Sequence, residues 1–119
     1  MTIKFLYIRQ YESNSEKIRR VATIARKVDL ENQTVSFAVA ISNPCDVFKK
    51  SVGRTIATAR LAKKPITISL AGNRPIEAIL AHIQNSHDGS FPRFMSRYAV
   101  DELVYRQITL LQIKEPSEP

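Results

Sequence analysis

One cysteine, Cys45, and two histidines, His82 and His87, are the only thiol and imidazole side chains in the 119 residues. A lone cysteine excludes an intrachain disulfide and a cysteine-rich zinc site, and its expected role is that of a small buried hydrophobe. Long apolar runs are also missing: each is far shorter than the roughly 20 residues that cross a bilayer. The opening "MTIKFLYIRQ" lacks the apolar stretch and small-residue cleavage site of a secretory signal, so a cytoplasmic location is expected. Glycine occurs only three times, and no phosphate loop, dinucleotide fingerprint or G-x-S-x-G elbow is present. The carboxylates Asp46, Glu77, Asp88, Asp101 and Glu102 are scattered, and the spacing of His82 and His87 is not the i, i+4 spacing of a helical metal pair. The expectation is a protein that is not an enzyme and needs no cofactor or metal.

Acidic residues are scarce where basic ones are dense. The net charge is +7, yet residues 1–64 hold thirteen bases and five acids while residues 65–119 hold five bases and six acids. The whole positive excess therefore lies in the first half. That asymmetry points to a polyanionic partner.

Hydrophobic patterning predicts one α+β domain over 1–114, followed by a flexible acidic tail over 115–119. "IKFLYI" (Ile3–Ile8) reads as a strand, and "TVSFAVAIS" (Thr34–Ser42) alternates large and small residues as a strand does. "KIRRVATIARKV" (Lys17–Val28) fits two patterns. It is a helix capped by Ser13–Glu16, or the first arm of a hairpin turning through "DLENQ"; the need of the following strand for a neighbour favours the hairpin. Next come a helix, the strand "ITISL" (Ile66–Leu70), a helix opened by Pro75, a helix over "RFMSRYAVDELVYRQ", and a last strand over Ile108–Ile113.

The central helix is the best punctuated. Asn43 is placed as N-cap, Pro44 at the first position, Asp46 in the first turn and Pro65 at the stop. At about 100° per residue, Cys45, Phe48, Val52, Ile56 and Ala59 share a face expected to meet the core. Lys49, Arg60 and Lys64 gather beside Gly53 and Ala57, and Lys50 and Arg54 extend that flank. Glycine inside a helix costs about 1 kcal/mol relative to alanine. Its presence suggests close approach by a phosphate backbone or by another protein element, with Gly53 and Ala57 as the approach surface. The expected nucleic-acid contacts are therefore Lys49, Lys50, Arg54, Arg60, Lys63 and Lys64, joined by Arg19, Arg20, Arg26 and Lys27 from the preceding segment. RNA is favoured over DNA because no groove-reading motif occurs, and Tyr7, Tyr11 and Phe91 are candidates for stacking.

From Ser36 to Leu61, "SFAVAISNPCDVFKKSVGRTIATARL", a strand and a short turn lead into the helix pattern D-x-F-x-K-x-x-GR-x-IA-x-x-RL, on Asp46, Phe48, Lys50, Gly53, Arg54, Ile56, Ala57, Arg60 and Leu61. It resembles a group of small early accessory proteins of tailed bacteriophages. The resemblance covers about a fifth of the chain and favours strands ahead of the helix. It implies a modulator working in the host cytoplasm, for example an antitoxin-like inhibitor of a host toxin or nuclease, acting through protein or through RNA. The alternative function is accordingly a protein-interaction module, which can engage its target through an RNA-bridged complex.

Overall fold

In a computed structural model the described residues are 2–12, 17–43 and 47–114, with 108–114 described by backbone alone. The fold is α+β. One four-stranded antiparallel sheet runs in the order β1 (Lys4–Tyr11), β2 (Ile18–Asp29), β3 (Thr34–Ile41) and β4 (Ile66–Ser69). Three helices complete it: α1 (Lys50–Lys63), α2 (Pro75–Asn85) and α3 (Arg93–Lys114).

The ambiguous segment is a strand. β2 and β3 pair from Ala22↔Ile41 to Asp29↔Thr34, and the ladder extends to Ser42, whose N–H donates to the Val21 carbonyl at 2.9 Å. Asp29 closes the turn by accepting from the Asn32 N–H at 3.1 Å and from Asn32 Nδ2 at 2.7 Å. Gln33 takes a left-handed φ of 54°, so the reversal is complete before β3 begins. The helix alternative for Lys17–Val28 is excluded, and its capping residues 13–16 lie outside the described residues.

Side chains alternate across the sheet. Thr23, Ala25 and Lys27 share one face with their partners Ala40, Ala38 and Ser36, and with Tyr7 and Phe5 of β1. Ala22, Ile24 and Arg26 occupy the other face with Ile41, Val39, Phe37 and Ile8, and Ile24, Phe37 and Ile8 are fully buried.

α1 lies on the first face, against β2 and β3. Ala25, Ala38 and Ala40 form an alanine floor beneath it, and Ala57 and Leu61 descend onto that floor with Phe5 packed beside them. Burial of a leucine such as Leu61 is worth about 1.5–3 kcal/mol. The floor is flat because its side chains are small, so the helix backbone comes close. A Cβ placed on Gly53 would stand 2.5 Å from Thr23 Oγ1.

The expected helix differs in start and orientation. α1 begins at Lys50, with Lys49 as an extended N-cap (φ −123°, ψ 123°) that makes no side-chain capping bond. Val47 and Phe48 are not helical, and the start signals Pro44 and Asp46, with Cys45, lie outside the described residues. The face expected inward is also displaced: Val52 and Ile56 are exposed, and Gly53, Ala57 and Leu61 face the sheet. Where the helix comes closest, at Gly53 and Ala57, only small residues fit, so Val52 and Ile56 lie on the flank while Leu61 packs at the far end of the contact.

The expected strand at Ile108–Ile113 is corrected as well. Its backbone continues α3, which runs unbroken from Arg93 to Lys114 and contains neither glycine nor proline. The tail over 115–119 lies outside the described residues.

The chain divides into two compact units, Met1–Ile79 and Leu80–Pro119. The second has its own buried side chains, Leu80, Ile83, Met95 and Ala99. His82 meets Phe91 edge-on at 6.1 Å, and Glu102 pairs with Arg106 at 3.1 Å. Asp88 accepts from the Ser90 hydroxyl and N–H, which holds its carboxyl below the usual range.

Candidate nucleic-acid interface

β1 is an outer strand, and its alternation puts Phe5, Tyr7 and Arg9 on the face that α1 covers. The helix lies over β2 and β3, and side chains on its β1 side reach across to this strand. Lys50 and Arg54, one turn apart, project from that side.

Their heads converge on Tyr7. Arg54 Nε donates to the Tyr7 hydroxyl, and its guanidinium lies 5.8 Å from the Tyr7 ring and 5.5 Å from the Phe5 ring. Lys50 Nζ is 5.1 Å from the centre of the Tyr7 ring and the Arg9 guanidinium 5.9 Å. Phe48 meets Tyr7 edge-on at 6.3 Å and backs the group. Each cation is attracted to the negative ring face, a contact worth about 0.5–1 kcal/mol at an exposed site. Lys50, Arg54 and Arg9 are themselves exposed. None of the three pairs with a carboxylate among the described residues.

Such a cluster has a definite chemistry. Three positive charges are held close together against mutual repulsion by a shared aromatic support. Their unused N–H groups face solvent, where they can donate to oxyanions in charge-assisted hydrogen bonds.

The ten cations expected to share one field do not share one surface. Lys50 and Arg54 join the cluster. Lys49 lines a cleft on the opposite flank of α1, Lys63 shares that side of the helix with Val52 and Ile56, and Arg60 spends Nη1 on the Val39 carbonyl at 2.8 Å. Lys64 follows the last turn, its N–H bonded to the Arg60 carbonyl at 2.8 Å. On β2 the alternation separates the rest. Lys27 lines a polar hollow with Asp29, Asn32, Thr34, Ser36 and Thr67 on the α1 face, whereas Arg20 (bonded to Gln10 Oε1 at 2.9 Å) and Arg26 lie on the other face; Arg19 is exposed.

The approach surface is likewise corrected. Ala57 is fully buried and Gly53 faces Thr23, so the element that comes close to Gly53 and Ala57 is the protein's own sheet. The Thr55 hydroxyl is turned inward to the Ser51 carbonyl at 2.8 Å. Phe91 stands against His82 in the second unit, while Tyr11 is exposed on β1.

Arg9 and Phe5 were not expected in the site. Their signal is present in "KFLYIRQ", where Phe5, Tyr7 and Arg9 fall at strand period on one face. Nothing in the sequence says that α1 lies over that face.

Among the described residues no helix is long and apolar enough to cross a membrane, and no three His, Cys, Asp or Glu side chains gather to hold a metal ion. No protein-family model, curated protein or solved structure matches the chain.

Proposed function

We propose that the protein is a non-catalytic accessory module that binds nucleic acid, RNA in preference to DNA, through its phosphate backbone at the β1–α1 flank. The observation that carries this reading is the convergence of Arg9, Lys50 and Arg54 on Tyr7 without a carboxylate partner among the described residues. A cation cluster propped on aromatic rings keeps its donors outward for phosphate oxygens. Tyr11, exposed at the end of the same strand, is the side chain proposed to stack on a base. Readout of base identity is not part of the proposal, because phosphate contacts fix position and carry no sequence information. The biological setting that the helix pattern implies is modulation of a host factor during phage infection.

The test is fluorescence anisotropy with a short labelled oligouridylate, comparing the natural chain with Lys50→Ala/Arg54→Ala. Loss of two charge-assisted contacts is expected to weaken binding at least about tenfold while the chain stays folded. Undiminished affinity in a folded double variant overturns the proposal.

A further inference from the structure

The far flank of α1 is built differently. β4 is four residues long and pairs only with Thr34–Phe37, so among the described residues the outer edge of β3 from Ala38 to Ile41 has no neighbouring strand. The register fixes which groups that edge presents. Leu70 N–H bonds to the Gln33 carbonyl and Ser42 N–H to the Val21 carbonyl, so odd-numbered residues of β3 point their backbone outward and even-numbered ones inward to β2. Val39 and Ile41 therefore aim N–H and C=O groups at the open edge. Among the described residues only the Val39 carbonyl has a partner there, Arg60 Nη1.

A cleft of about 410 Å³ adjoins this edge, lined by Ile41, Val47, Phe48, Val52 and Ile56 among others. Val52 is 51% exposed, Ile56 41% and Val47 86%. An open strand edge beside exposed branched side chains is the arrangement that accepts an added β-strand: backbone bonds give affinity and alternate side chains enter the cleft.

The charge around it selects the occupant. Lys49 lines the cleft, Arg60 spans its edge and Lys63 follows on the same side of α1, while no carboxylate lines the cleft among the described residues. A second copy would bring the same cations to the same edge. We propose that this edge takes an extended segment of an acidic partner protein, with alternating apolar residues and flanking carboxylates, as a fifth strand on β3. An N–H of the incoming strand replaces Arg60 at the Val39 carbonyl. The freed guanidinium then takes one of the strand's carboxylates in a bidentate pair. Phe48 borders both this cleft and the Tyr7 cluster, but the open edge and its cations Lys49, Arg60 and Lys63 are not part of that cluster, and the proposal does not depend on the nucleic-acid reading.

The experiment is an amide NMR titration of the full chain with a synthetic octapeptide of alternating valine and glutamate. The expected result is saturable shifts and slowed hydrogen exchange at Val39 and Ile41. Ile56→Asp should weaken binding at least about tenfold, a size consistent with loss of a central apolar contact. A Lys49→Glu/Lys63→Glu chain should prefer a valine–lysine peptide, and Lys50→Ala/Arg54→Ala should leave peptide affinity intact. Several outcomes overturn the proposal: no shift at Val39 and Ile41 at millimolar peptide, the same shifts on adding oligouridylate, shifts that follow protein concentration alone, or equal affinity for both peptides in the natural chain.

Discussion

Gly53 and Thr23 meet where the helix touches the sheet, and the cost of changing either is set by a single contact. Thr23 is fully buried, and its hydroxyl has no hydrogen-bond partner among the described residues. A methyl group on Gly53 would sit 2.5 Å from that hydroxyl and 3.3 Å from the Phe48 ring. Alanine is the better helix former by about 1 kcal/mol, but overpacking of this kind costs about 1–3 kcal/mol. Gly53→Ala is therefore expected to lower stability. In a Thr23→Ala background, where the obstructing oxygen is gone, it should be neutral or stabilising. Urea unfolding of the four chains of this cycle measures the coupling. Asp29 gives a residue-level prediction of another kind. The Asn32 side-chain amide, then the Asn32 N–H, holds its carboxyl below the ordinary value of 3.8. A depressed carboxylate contributes stability that is complete above its unfolded value and is lost as pH falls through its folded one. The hairpin turn should therefore loosen below about pH 3.8. An acid titration of the Asn32 amide resonance reads that directly, and Asp29→Asn should flatten it.

At the scale of elements, α1 is held by its small-residue face, and this can be tested against the face that its branched residues suggest. Leu61→Ala should cost about 2–5 kcal/mol, as core leucine truncations do. Val52→Ala, at an exposed position, should change stability by no more than about 0.5 kcal/mol. Equal effects in urea unfolding would mean that the helix is rotated. Most of the element order was legible beforehand, because β1, β3, β4 and α2 are marked by strand alternation or by Pro75 and Glu77. The hairpin was legible through an indirect argument, the need of β3 for a neighbour. Three features were not. The start of α1 was placed by local capping signals, whereas the helix begins at Lys50, after the chain has left Val21 through Ser42. Its inward face was assigned to Phe48, Val52 and Ile56, but Gly53, Ala57 and Leu61 are the residues that face the sheet. The end of α3 was read as a strand from its branched residues, although nothing in 93–114 breaks a helix.

For the whole molecule, the excess of positive charge in the first half is real, but sheet alternation and helix pitch divide it. Thirteen bases against five acids give residues 1–64 a positive field of the kind that attracts polyanions. On the proposed reading, the local cluster at Tyr7 is where a bound polyanion settles. Of the ten cations expected to bind, Lys50 and Arg54 alone enter that cluster, joined by Arg9 from β1. The sequence carried the charge asymmetry and two of the cations of the candidate cluster, Lys50 and Arg54. It could not carry the packing of α1 on the sheet face that also bears Phe5, Tyr7 and Arg9, which brings Lys50 and Arg54 to Tyr7.

The salt dependence of oligouridylate binding separates a site from a diffuse field. Each phosphate contact on a single strand contributes about 0.7 to the slope of log affinity against log salt. Lys50→Ala/Arg54→Ala should reduce that slope by about 1.4, while Lys63→Ala/Lys64→Ala, with the same loss of charge from the same helix, should reduce it far less. Equal reductions in the two double variants would contradict a binding site centred on Tyr7.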